Sequence, residues 1–285
     1  MFKPLKKTFE FIYFLFLLNK NKTLRNQIIK KSLRNVAVLA NGPSLKEVLP
    51  EILIKNEFKD VDFIVLNFFA FEKTFFNIKP KHYCLADPMF FKDTHRRDNV
   101  LKLFKILEKD INWKMNIYIP KHSFLEFINY SNLKNLNITI IPVNTNQYYG
   151  YEIFRNYFYK KGLSTPKIQT VANLAIYVGI NFGYSKINLY GLDHSFFHSL
   201  SVNDKNEVCN RETHFYTNQS ILQPIRRNDN DELWKISDYI EAIMTMFKSH
   251  DLLNDYAIYS KVEIINFTKN SLVDSYKRYE KGKLN

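Results

Sequence analysis

The chain has 285 residues, 46% hydrophobic and 16% aromatic, enough to bury a substantial core in one large or two small domains and too apolar for a disordered protein. Its net charge is +13, but residues 1–35 hold nine Lys or Arg against the single Glu10, a local +8, leaving the remainder near +5. An excess confined to one end, without zinc-finger spacing or an RNP-like aromatic signature, argues against nucleic acid as a partner. Two cysteines, Cys84 and Cys209, argue against a disulfide scaffold and fit a reducing compartment.

In chain order, Phe11–Leu18 is apolar throughout and flanked by Lys6, Lys7 and Lys20. It falls short of the ~20 residues of a spanning helix. Asn19-Lys20-Asn21-Lys22 offers no small-residue cleavage site for a signal peptide. Residues 1–34 therefore read as a basic amphipathic segment lying on the cytoplasmic face of an inner membrane, the alternative being a helix packed on the domain.

Residues 35–285 read as one α/β domain. Apolar runs at 35–40, 63–67, 83–86, 116–119, 138–141, 187–190 and 262–265 predict buried strands. Helical patterns fall at about 44–56, 96–109, 122–130, 170–182 and 231–249, the last with Leu233, Ile236, Ile240, Ile243, Met244 and Phe247 at core-facing spacing. Strands separated by helices predict a mostly parallel, Rossmann-like sheet with helices on both faces. Residues 195–230 are polar, aromatic and aperiodic, which predicts a lid-like loop. No internal repeat is present.

Ligands of such sheets bind outside the carboxyl ends of the strands. Four strand ends carry polar residues there: Asn41, Asn67, Asp87 and Asp193. In Asn41-Gly42-Pro43-Ser44, Gly42 allows close backbone approach, Pro43 stiffens the turn and Ser44 is a good N-cap for the next helix. A helix start of this kind suits an anion, though the motif is neither G-x-G-x-x-G nor a Walker A loop.

A small-residue helix from Thr170 through Ala172 to Gly183-Tyr184 leads into Ser185-Lys186-Ile187-Asn188-Leu189-Tyr190-Gly191-Leu192-Asp193. The order strand-NGPSL, LN-aromatic, then T…A…GYSKINLYGLD resembles the bacterial sialyltransferases of glycosyltransferase family 42, and is similar to the group sharing that fold, which includes motility-associated glycosyltransferases and an archaeal pterin diphosphokinase. The resemblance covers about residues 35–275, concentrated in these islands. It implies a variant A-type, inverting, metal-independent transferase that needs no cofactor. The donor would be a CMP-activated, sialic-acid-like sugar and the acceptor an oligosaccharide or glycolipid of a cell-surface glycan such as lipopolysaccharide or capsule. The same fold leaves a nucleotide- or pterin-dependent diphosphokinase, or a transferase using another nucleotide sugar, as alternatives; oligomerisation stays open.

Carried over by position, the resemblance implies a nucleotide site of Asn41, Gly42, Pro43, Ser44, Asn67, Asp87, Thr170, Ala172, Gly191 and Asp193. Asp87 stands where the family has Asn, Ala172 where it has Gly, and Ile168 where it has Arg. It implies His214, in Thr213-His214-Phe215-Tyr216, as general base; a neutral imidazole suits that task near pH 7. Tyr216, Arg226 or Arg227 would stabilise the leaving phosphate. His194 stands where a tyrosine is expected and is a candidate acceptor or phosphate contact.

His194 and His198 could instead sit on one helical face around a metal, but without a third ligand at fixed spacing no metal site is expected. Asp229 and Asp231 match a D-x-D pattern, as do Asp60 and Asp62, and read more simply as caps of a helix beginning near Glu232. Trp113 and Trp234 read as core or interface residues.

Overall fold

A computed structural model describes residues 3–20, 34–55, 58–213, 220–227 and 232–279. Seven predicted strands are present: β1 (Asn35–Leu39), β2 (Asp62–Leu66), β3 (His82–Cys84), β4 (Met115–Pro120), β5 (Ile138–Val143), β6 (Lys186–Tyr190) and, later in the chain, β10 (Glu263–Asn266). With the two-residue β11 (Lys277–Arg278) they form one parallel sheet in the order β11-β10-β6-β1-β2-β3-β4-β5. The chain runs outward from β1 to β5, then returns to β6 on the other side of β1. The topological switch point therefore lies between β1 and β6.

The central strands β1 and β2 are apolar on both faces because both are covered. Val36, Val38, Ile64 and Leu66 face one cluster, built with α7 (Val171–Phe182) and α8 (Ile236–Ser260). Ala37, Leu39, Phe63 and Val65 face the other, against α2 (Leu45–Ile52), α4 (Arg97–Lys109) and α5 (Phe124–Ser131). α7 is buried almost all round, and a Cβ on Gly179 would meet the Ile187 side chain at 3.0 Å, so the glycine lets the helix lie close on the sheet.

Three expectations need correction. Residues 195–230 are not an aperiodic loop: β7 (Leu200–Val202), β8 (Val208–Thr213) and β9 (Ser220–Pro224) make an antiparallel sheet. The last long helix begins at Ile236 rather than near 231, because Arg227 and Trp234 donate backbone hydrogen bonds to Glu232 and Ile225 and hold residues 232–235 extended. Asp229 and Asp231 lie outside the described residues; the N-cap of α8 is Lys235. The apolar stripe at the start of α8 is only partly core: Ile243 is buried, whereas Leu233, Ile236, Ile240 and Met244 are exposed.

Two helices went unread, α3 (Thr74–Ile78) and α6 (Glu152–Lys160), while the helix named as the alternative for the N-terminal segment is α1 (Lys3–Lys20). α1 is packed on the domain through Phe11 and Phe14, and among the described residues no helix is long and apolar enough to cross a membrane.

Candidate active site

The carboxyl edge of the sheet has a closed part and an open part. The closed part is the switch point. After β1, the Ala40 and Gly42 amides donate to the carbonyls of Tyr190 and Gly191, both at 2.9 Å. The Ser44 amide and hydroxyl donate to the two carboxylate oxygens of Asp193 at 3.3 and 2.8 Å. A Cβ on Gly42 would lie 2.0 Å from Asp193 Oδ2 and 2.4 Å from the Gly191 carbonyl oxygen. Gly191, at φ +68°, is equally confined by the Ala40 carbonyl oxygen at 2.6 Å.

Ser44 is thus no conventional N-cap: its backbone is helical and its hydroxyl goes to Asp193, not to a helix amide. The anion at the start of α2 is the protein's own carboxylate. Asn41 and Pro43 stand exposed on this corner.

Asn67 links the two parts. It ends β2 in the left-handed region at φ +46°, and its side-chain amide donates to Asp87 Oδ2 at 2.8 Å. Its backbone carbonyl accepts the Tyr83 hydroxyl, while its side-chain oxygen is buried with no hydrogen bond among the described residues. Burial pushes the Asp87 carboxyl up from its ordinary range, opposed by the Asn67 hydrogen bond and the charge of Arg96.

Asp87 also lines the open part, a cleft of about 700 Å³. Its floor is the strand-end segment of β3 (Ala86, Asp87, Pro88) with Pro120, His122, Thr145 and Gln147 after β4 and β5. One wall is the start of α7. Thr170 is its N-cap, accepting the Ala172 amide at 3.0 Å, and the Asn173 side chain in turn accepts the Thr170 amide at 3.3 Å. Such a helix start, open to a cleft, suits an anion. Arg226, Arg227 and Trp234 line another wall, with Asp238, Glu241 and Thr245 of α8. The Arg227 guanidinium lies 4.1 Å over the Trp234 ring and donates to Asp238 at 2.8 Å, which fixes a flat cationic surface.

No protein-family model, curated protein or solved structure matches the chain.

Asp87, Thr170, Arg226 and Arg227 meet at the cleft, joined through Asn67 to the rim. Gly42, Ser44, Gly191 and Asp193 are engaged with one another at the switch point. Ala172 is buried inside α7. His194, at φ +48°, is engaged elsewhere: its Nε2 is 3.0 Å from Nε2 of His250, whose Nδ1 is 2.9 Å from the Tyr276 hydroxyl. Burial pulls His194 down to about 4 and His250 well below its ordinary value. The supposed common helical face of His194 and His198 is absent, since only Phe196–His198 form a short 3₁₀ turn. His214 and Tyr216 lie outside the described residues, in the segment bracketed by the paired Thr213 and Ser220.

Sequence reasoning missed His122, Gln147, Trp234 and Asp238. His122 Nδ1 sits 3.4 Å from the Thr145 hydroxyl on the cleft floor. None of the four belongs to a local motif; the fold assembles them from separate strand ends and the entry to α8.

Proposed function

We propose that the chain is a sialyltransferase-like glycosyltransferase that moves a sugar from a nucleotide-activated donor to a glycan acceptor. The observation that carries the reading is the convergence of Asp87, Thr170, Arg226 and Arg227 on one cleft at the carboxyl edge of a parallel sheet. The resemblance to family 42 supplies the donor class, a CMP-activated sialic-acid-like sugar, and an acceptor on a cell-surface oligosaccharide or glycolipid.

In this reading the donor phosphate lies between the start of α7 and the Arg226–Arg227 wall. Asn41, Asn67 and Asp87 serve the nucleoside side. His214 takes the proton of the acceptor hydroxyl as its oxygen attacks the anomeric carbon. The carbon–oxygen bond to the phosphate breaks, its electron pair leaves with the nucleotide monophosphate, and configuration inverts. Arg226, Arg227 and Tyr216 offer donors to the charge that grows on the departing phosphate.

The test is a thermal-shift series with CMP, UDP, GDP and ATP, followed by donor hydrolysis in chelator. The expected outcome is stabilisation by CMP above the others, and chelator-resistant CMP-sugar hydrolysis abolished in His214→Ala. A preference for UDP or GDP would keep the transferase and discard the donor. Magnesium-dependent consumption of ATP, or no response to any nucleotide, would overturn the reading.

A further inference from the structure

Helix α1 is apolar on two sides, and the domain covers one. Phe14 is 1% exposed, its ring 4.9 Å from both Tyr148 and Phe158, and Phe11 stacks on Phe154 at 5.4 Å. Lys7 pairs with Glu152 at 3.0 Å and the Thr8 hydroxyl meets that of Tyr151 at 2.7 Å, so the helix is pinned in rotation. On the far side, Leu5, Phe9, Ile12 and Phe16 follow the spacing i, i+4, i+7, i+11 and are 53–60% exposed. Tyr13 and Lys6 lie beside that stripe and are also exposed.

The surroundings have the chemistry of a headgroup layer. Lys161 lies 5.5 Å over Tyr157 on α6, and Lys160 lies 5.8 Å over Tyr259 on α8, with both tyrosines about half exposed. Amphipathic tyrosines paired with lysines are the usual fringe of an apolar surface at a membrane. Residues 1–35 carry nine basic side chains against one acid. A second copy seated on this face would bring two such segments together, like charge against like, whereas anionic headgroups neutralise them.

We propose that α1 is an in-plane membrane anchor: Leu5, Phe9, Ile12 and Phe16 enter the interface of an anionic bilayer while Lys6, Tyr13, Tyr157 and Lys161 sit among the headgroups. The pinned orientation makes the anchor part of the domain rather than a tether. It also sets the bilayer close to the cleft, since Tyr148, packed on Phe14, lines a second cavity of about 280 Å³ that shares Gln147, Lys167 and Thr245 with it. The inference stands apart from the transferase reading, because membrane binding needs neither donor nor acceptor.

The test is co-sedimentation of the full chain with vesicles of phosphatidylcholine alone or mixed with phosphatidylglycerol, for wild type and Phe9→Glu/Phe16→Glu. Both substituted rings are exposed, so an unchanged melting temperature shows the variant folded. The expected result is sedimentation with the mixed vesicles, weakened by salt, with the variant's partition lowered about tenfold or more. Wild type left in the supernatant, equal retention on neutral vesicles, or a variant that binds as well as wild type would overturn the proposal. A wild-type dimer that the variant converts to monomer would also overturn it, giving the face to a second copy.

Discussion

His82 predicts how the protein meets acid. It is fully buried at the start of β3, between two tyrosines. The Tyr184 hydroxyl donates to Asp62 at 2.7 Å, so its oxygen accepts from His82 Nε2 at 2.7 Å, and His82 Nδ1 is left to accept the Tyr118 hydroxyl at 3.1 Å. That network assigns a neutral ring with its proton on Nε2. Burial, aided by the charge of Lys81, pulls His82 down to about 3. In the unfolded chain it titrates near 6.5, so below that pH the unfolded state binds the extra proton and stability falls as pH falls. The contribution is complete above about pH 6.5 and is lost at about 1.4 kcal/mol per unit below it, or about 2 kcal/mol between pH 7 and 5. The assay is urea unfolding from pH 7 to 5 in wild type and His82→Gln. The variant starts lower, because it disrupts the tyrosine pair, but its stability should fall about 2 kcal/mol less over that interval. Parallel curves for the two proteins would refute the reasoning.

Other consequences follow from the edge of the sheet. Gly42→Ala places a methyl group 2.0 Å from Asp193 Oδ2 and 2.4 Å from backbone that cannot yield, and should cost about 3 kcal/mol in urea unfolding. Thr170→Ala removes the α7 cap and should cost about 1 kcal/mol, which Thr170→Ser largely restores. Arg227→Ala should cost no more than about 1 kcal/mol of stability, the loss of its Asp238 pair and its stacking on Trp234, yet lower nucleotide affinity by about tenfold or more in calorimetry if the guanidinium holds the phosphate.

The parallel sheet was legible because strands buried on both faces are continuous apolar runs, such as Val36–Leu39 and Phe63–Leu66, which few other structures tolerate. Antiparallel β8 was not, since only Val208 and Cys209 of its six residues are apolar and buried, and the polar run after them gives no apolar run to announce a strand. The early start predicted for α8 failed for a tertiary reason: Leu233 and Ile236 have helical spacing, but pairing of Arg226 with Leu233 holds the first of them extended. At the cleft and its border, Asn67 and Asp87 were legible because a polar strand end is a local signal, whereas Thr170 entered only through the resemblance. Trp234, read as core or interface, stacks under the Arg227 guanidinium at the cleft.

The corner that first suggests phosphate binding is crowded by the protein's own groups. At α2, Asp193 already occupies the anion position, receiving both donors of Ser44, and Gly42 has surrendered its side chain to admit that carboxylate. The start of α7 has the same electrostatics but opens on the cleft that Arg226 and Arg227 also line. An incoming phosphate should therefore choose α7, and Asp193 should govern stability more than affinity. Asp193→Asn keeps one acceptor for Ser44 and gives up the charge at the α2 terminus, a loss of about 1–2 kcal/mol. Its nucleotide dissociation constant should stay within about threefold of wild type, less than 1 kcal/mol, while Thr170→Ala and Arg227→Ala raise theirs. A stable Asp193→Asn protein that no longer binds nucleotide would move the donor to the switch point and reverse the assignment of the two helix starts.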